Sequence, residues 1–157
     1  MKKIMKKVYR NLPNTIQTPL KNLYRRYVPS PPERLMYRVK LFEELLNLSG
    51  KEYFQNKRIL EIGPKDGLDS KRLSSLQPKK LVMIDLPEKR EGNKQWLNQI
   101  TCPNKYIEAN FMYISLKDYK DIGRFHLIWF TGILYHNAEQ MRLLRKLYRL
   151  LNVGGYL

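Results

Sequence analysis

Glu61, Gly63, Gly67 and Asp85 are the residues whose types and spacing could hold a charged nucleoside-type ligand. They sit in the stretch Arg58-Ile59-Leu60-Glu61-Ile62-Gly63-Pro64-Lys65-Asp66-Gly67 and at the end of a second apolar run. A glycine turn after a buried strand lets backbone approach a ligand closely, because no Cβ stands in the way. A carboxylate 22 residues beyond Gly63 suits the ribose hydroxyls of an adenosine-type cofactor at the strands' C-terminal edge. A dinucleotide fingerprint needs G-x-G-x-x-G, and here Lys65 takes the middle position. Glu61 would repel a pyrophosphate and suits a cationic ligand, such as one carrying a sulfonium and an amino group.

The elements that position these residues alternate. A helix is expected from Glu33 to Leu48, ended by Ser49-Gly50, and strand one at about 58–62. A helix near 69–76, N-capped by Asp69, leads through Pro78 to strand two, Leu81 to Asp85. A helix at about 93–100 precedes strand three, Tyr106 to Ala109, and strand four is Phe125 to Phe130. A helix from about 138 to 151 is opened by Asn137, with Gln140 at capping-box distance. Asn152-Val153-Gly154-Gly155 then reads as a turn, with Tyr156-Leu157 starting a fifth strand. Strands alternating with helices imply an α/β fold, a parallel sheet with helices on both faces.

These residues resemble motif I of class I S-adenosylmethionine-dependent methyltransferases, E/D-x-G-x-G-x-G, matching at Glu61, Gly63 and Gly67 and departing at Lys65. Thr131-Gly132-Ile133-Leu134-Tyr135-His136 is similar to the T/S-G-V-L-Y-H segment of a subgroup that includes relatives of the tRNA uridine carboxymethyltransferase. Leu151-Asn152-Val153-Gly154-Gly155 resembles the L-K-P-G-G turn before strand five. The resemblance covers about residues 34–157 and implies a Rossmann-like sheet that is incomplete after the start of strand five. The missing strands would leave an exposed edge and a poorly soluble chain.

The resemblance implies S-adenosyl-L-methionine as cofactor. It is expected to be held by Glu61, Gly63, Pro64, Lys65, Asp66, Gly67, Asp85, Leu86, Asn110, Phe111 and Thr131. Asn110 falls where the family often receives the adenine amino group. His136 is the candidate base and Tyr135 its neighbour for positioning donor or acceptor, since imidazole titrates near neutrality. The bland readings are an ordinary strand-to-helix turn, a solvent-facing Lys65, and a core or capping pair at Tyr135-His136. Trp129 and Phe130 read as core, and Arg142, Arg145, Lys146 and Arg149 as the solvated face of a helix.

The chain of 157 residues carries a formal charge of +16. Residues 1–40 hold eleven Lys/Arg against Glu33, so the excess is concentrated in a basic, proline-containing arm over 1–32, ahead of a domain over 33–157. Ile4, Met5, Val8 and Leu12 at helical spacing among five basic residues make 1–12 a candidate contact with an anionic membrane. Tyr9, Tyr24 and Tyr27 suit stacking on RNA bases instead.

No Walker-type G-K-S/T, Cys/His metal spacing or G-x-S-x-G elbow is present, so no metal is expected. The single cysteine, Cys102, fits a reducing compartment. With no secretory signal, the expectation is a cytoplasmic protein, peripheral at the inner membrane face if the arm binds lipid. Three functions follow: O-methylation of a small-molecule, saccharide or glycolipid acceptor; RNA methyl- or carboxymethyl transfer; or an inactive, truncated cofactor-binding remnant.

Overall fold

A computed structural model describes residues 32–87, 94–114 and 122–157. The chain divides into two units, Met1–Leu45 and Leu46–Leu157, and the second carries the sheet. The basic arm, including the 1–12 segment, lies outside the described residues.

Helix α1 spans Pro32–Ser49. It stops where Gly50 adopts φ 77° and its amide donates to Leu46 O. Five strands follow: β1 Arg58–Ile62, β2 Lys80–Asp85, β3 Asn104–Glu108, β4 Phe125–Trp129 and β5 Leu151–Tyr156. They form one sheet of order β3-β2-β1-β4-β5, parallel at every pairing. Helix α2 is Leu68–Ser74 and helix α3 is Gln140–Arg149. The α/β, Rossmann-like architecture read from the sequence is the one observed.

Strand side chains alternate between the two faces. Leu60, Ile62, Val82, Ile84 and Ile128 cluster with Leu143 and Leu147 of α3 and with Leu150, which follows it. The other set, in register as Ile59, Leu81 and Leu127, then Glu61, Met83 and Trp129, is buried on the face that meets α2. Burial on both faces explains why β1, β2 and β4 read as unbroken apolar runs. Each fully buried Leu or Ile contributes about 1.5–3 kcal/mol.

Several expected boundaries shift. The 93–100 helix is a 3-10 helix over Gln95–Gln99, with residue 93 outside the described set. Strand three begins at Asn104, because it pairs with Leu81. Asp69 is not the N-cap of α2. Gly67 holds that position in the left-handed region, and Asp69 lies in the first turn with its side chain buried. Helix α3 starts after Glu139 without a side-chain cap, so the Asn137–Gln140 capping box does not form. Asn137 Oδ1 instead accepts the Glu139 amide at 2.7 Å. The expected turn at 152–155 lies inside β5. Leu151 pairs with Phe125 and Tyr156 with Leu127, so the intervening residues bulge.

Candidate functional site

The C-terminal edge of the sheet gathers the four strand ends that the sequence singled out. β1 runs into the turn 63–67, where Gly63, Lys65 and Gly67 all take positive φ, at 71°, 52° and 71°. Lys65 thus keeps the backbone conformation that glycine favours while carrying a side chain into solvent. The Gly63 amide donates to Ile84 O at 2.8 Å, and the Gly67 amide closes the turn on Pro64 O at 2.9 Å.

Asp85 ties the turn to β2. Its Oδ2 accepts the Lys65 amide at 3.1 Å and its Oδ1 accepts the Leu86 amide at 2.8 Å. An ionised carboxylate offers about four lone-pair sites, so each oxygen retains room for a further donor. The Asp85 carbonyl also accepts the Ala109 amide at 2.8 Å, which brings the end of β3 alongside. Asn110 is exposed there, and its Oδ1 accepts the Met112 amide at 3.0 Å. Phe111 turns inward and joins the core.

The segment after β4 closes on the same turn. A Cβ built on Gly63 would stand 2.5 Å from Ile133 Cδ1, so the Thr131–His136 segment packs over the first glycine. Leu134–His136 form a 3-10 turn, with Tyr135 and His136 exposed and their rings 4.1 Å apart at 46°. Leu86 is exposed and Thr131 is half-buried on this edge.

Glu61 lies beneath the turn, 1% exposed. Its Oε2 accepts the Ser70 hydroxyl at 2.5 Å. One position along α2, Asp69 accepts the Trp129 indole at 2.9 Å through Oδ2 and Arg72 at 2.9 Å through Oδ1. The first turn of α2 is therefore pinned to β1 and to β4. A signal was available for this pair of anchors. Asp69 stands in line with Leu73 and Leu76 at i, i+4 and i+7, and a polar residue on an apolar stripe needs a buried partner.

Trp96 was also missed. Its ring occupies the space a Gly67 side chain would need, and it meets Tyr106 edge-on at 6.1 Å. Its buried Nε1–H has no hydrogen-bond partner among the described residues. Lys146 departs from the solvated stripe assigned to α3: its ammonium donates to Met112 O and, at 3.1 Å, to Ile114 O. Burial, then the nearby Arg142 charge, holds its pKa below the usual lysine range. It straps the loop that follows β3 to α3.

Among the described residues no cluster of three His, Cys, Asp or Glu could hold a metal ion. No helix among them is long and apolar enough to cross a membrane.

Comparison with known proteins bears on the family and the fold. The chain is 30% identical over 104 residues to the tRNA U34 carboxymethyltransferase of Campylobacter hominis, covering 64% of this chain and 34% of the relative. A Bacillus halodurans C-125 protein, provisionally named a methyltransferase, superposes with a TM-score of 0.55 at 17% identity, over 72% of this chain and 47% of that one. An arsenic(III) S-adenosylmethionine methyltransferase from Chlamydomonas reinhardtii gives 0.51 at 16% identity, over 65% and 37%. The chain thus spans about a third of the curated relative's length and less than half of either structure. The methyltransferase-domain family model matches residues 32–157, the whole α1-to-β5 succession, and the chain belongs to that family.

Proposed function

We propose that the domain over 33–157 binds S-adenosyl-L-methionine at the C-terminal edge of its sheet and transfers the methyl group to a hydroxyl of a small-molecule, saccharide or glycolipid acceptor. The observation that carries the reading is the Asp85 carboxylate held against the backbone of the 63–67 turn. The residues present fit the cofactor. A half-buried carboxylate stands beside the turn with acceptor capacity to spare, while Ile133 and Trp96 fill the space at the Gly63 and Gly67 α-carbons and hold the turn's shape. Such a carboxylate suits a ribose diol, and the backbone of Gly63, Pro64, Lys65, Asp66 and Gly67 suits the amino-acid portion. Asn110, Leu86 and Thr131 flank the adenosine side in this reading. Phe111 contributes from below as packing, and Glu61 supports the turn through Ser70.

When bound, the cofactor supplies a methyl group already activated on a sulfonium. The chain's own work is alignment, exclusion of water and removal of the acceptor's proton. His136 takes that proton onto its imidazole, and Tyr135, in contact with it, orients the acceptor. Isothermal titration of the chain with S-adenosylmethionine tests the cofactor reading. Micromolar binding that is weakened by about 1–3 kcal/mol in Asp85→Ala supports it, and no heat of binding in the folded chain overturns it.

A second reading of the acceptor is RNA, favoured by the 30% identity to a tRNA-modifying relative. The basic arm serves either acceptor, by resting on anionic lipid through 1–12 or by contacting phosphates. Methylation assays on bulk RNA and on a lipid–saccharide extract separate the two.

A further inference from the structure

Because every strand runs the same way, all strand entries meet at one edge of the sheet, opposite the candidate cofactor edge. That entry edge is basic. Arg58 on β1 pairs directly with Lys80 on β2, and the Lys79 amide donates to Lys57 O at 2.8 Å. Lys105 stands near the start of β3, opposite Val82, and Arg124 immediately precedes β4. Four neighbouring strands therefore each bring at least one cation to the same edge. Lys79, Lys105 and Arg124 are exposed.

The cofactor edge is different. Asp66, Asp85 and Glu108 lie there with Lys65 and Lys94, and Lys94 is paired with Glu108. His126, one residue into β4, registers the potential of the basic edge: burial first, and then the Lys57 charge, keeps its pKa below the ordinary value.

We propose that this basic entry edge docks the phosphate backbone of a folded RNA whose modified nucleotide reaches over to the opposite edge. The proposal deepens the RNA reading of the acceptor and rests on it. A row of cations on adjacent strands neutralises successive phosphates and releases their counterions. Geometry favours RNA over a lipid surface. The two edges are separated by the length of a five-residue strand, about 17 Å. A flat membrane lying on the entry edge would leave the cofactor edge facing away from it. A folded polynucleotide can span both.

The test uses the full chain, a hairpin RNA, and vesicles of phosphatidylserine and phosphatidylcholine. The triple variant Lys79→Glu/Lys80→Glu/Lys105→Glu is compared with Arg145→Glu/Arg149→Glu on α3. A neutral triple, Lys79→Gln/Lys80→Gln/Lys105→Gln, covers the case in which charge reversal prevents folding. The expected result is at least a tenfold loss of RNA affinity in the edge triple. Its plot of log affinity against log salt should flatten by about 2–3 units, three phosphates at roughly 0.7 (single strand) to 0.9 (duplex) each. The α3 double should lose less than threefold. Equal losses in the two variants, unchanged binding in the edge triple, or edge-dependent binding to vesicles with no RNA binding overturns the proposal. Cofactor titration on the same proteins separates the readings: RNA docking through the edge without cofactor binding keeps the docking surface but overturns both the methyl-transfer reading and the reach of a modified nucleotide to the opposite edge.

Discussion

Trp129 on β4 and Asp69 on α2, sixty positions apart in the chain, meet through a buried hydrogen bond of 2.9 Å from the indole Nε1 to Oδ2. Beside them Ser70 reaches Glu61 on β1. The helix that opens at the glycine turn is thus anchored to two adjacent strands before its second turn begins. Asp69→Ala leaves the Trp129 donor unsatisfied in the interior, at a cost of about 1–3 kcal/mol. Urea unfolding should show that loss. Trp129→Phe, which removes the donor as well, should recover part of it when combined with Asp69→Ala.

Asp85→Ala should act on the site and its scaffold in different proportions. The Lys65 and Leu86 amides sit at an exposed edge where water can replace the carboxylate, so the melting temperature should change little. Cofactor affinity should fall by about 1–3 kcal/mol, the cost of unpaired hydrogen-bonding partners. Calorimetry checks this, and unchanged affinity in the folded variant removes the ribose assignment.

Gly67→Ala introduces a Cβ into the Trp96 ring at a backbone φ of 71°. Left-handed strain of about 1–2 kcal/mol adds to overpacking of about 1–3 kcal/mol. The variant should be destabilised by roughly 2–5 kcal/mol, with a red-shifted tryptophan emission as Trp96 is displaced. Lys65→Gly, at the same sign of φ, should leave stability within about 1 kcal/mol of the parent. Denaturant midpoints decide both.

His126 makes a pH prediction with a definite sign. Its folded pKa lies below the ordinary 6.5, so between the two values the unfolded chain binds more protons than the folded one. Its contribution to stability is complete above pH 6.5 and declines as pH falls through that window, levelling off below the folded value. Urea midpoints of the parent and of His126→Gln, measured between about pH 5 and 8, should converge toward the acid end.

His136→Ala should separate chemistry from binding. The side chain is exposed, so stability should hold within about 0.5 kcal/mol. Methyl transfer to a hydroxyl acceptor should slow by about 100-fold or more, with cofactor affinity unchanged.

Much of this fold is legible in the chain because β1, β2 and β4 are buried on both faces. Their apolar runs are continuous, and the turn with Asp85 follows at the spacing a strand–helix–strand unit requires. What escaped the sequence was decided by partners far along the chain. Asp69 looks like a helix cap until Trp129 is beside it, and Lys146 looks solvated until the Met112 and Ile114 carbonyls come within reach. Residues 95–99 tighten to a 3-10 turn while Trp96 packs on Gly67, a tertiary demand that local propensity does not register. The bulge in β5 follows from its pairing with Phe125 and Leu127, which no local pattern encodes.

Strand polarity gives the lysines at 57, 79, 80 and 105 a meaning they lack one at a time. Each stands at or near the threshold of an apolar run, where a charged residue commonly marks the return to water. In an up-and-down sheet such threshold residues alternate between the two ends, and their fields partly cancel. Parallel connectivity makes them add. The crossover helices that build this sheet therefore act as a rectifier. They gather a scattering of basic residues along the chain at one end of the sheet, a positive edge set by topology whose strength can be tuned by single substitutions at strand entries without touching the core.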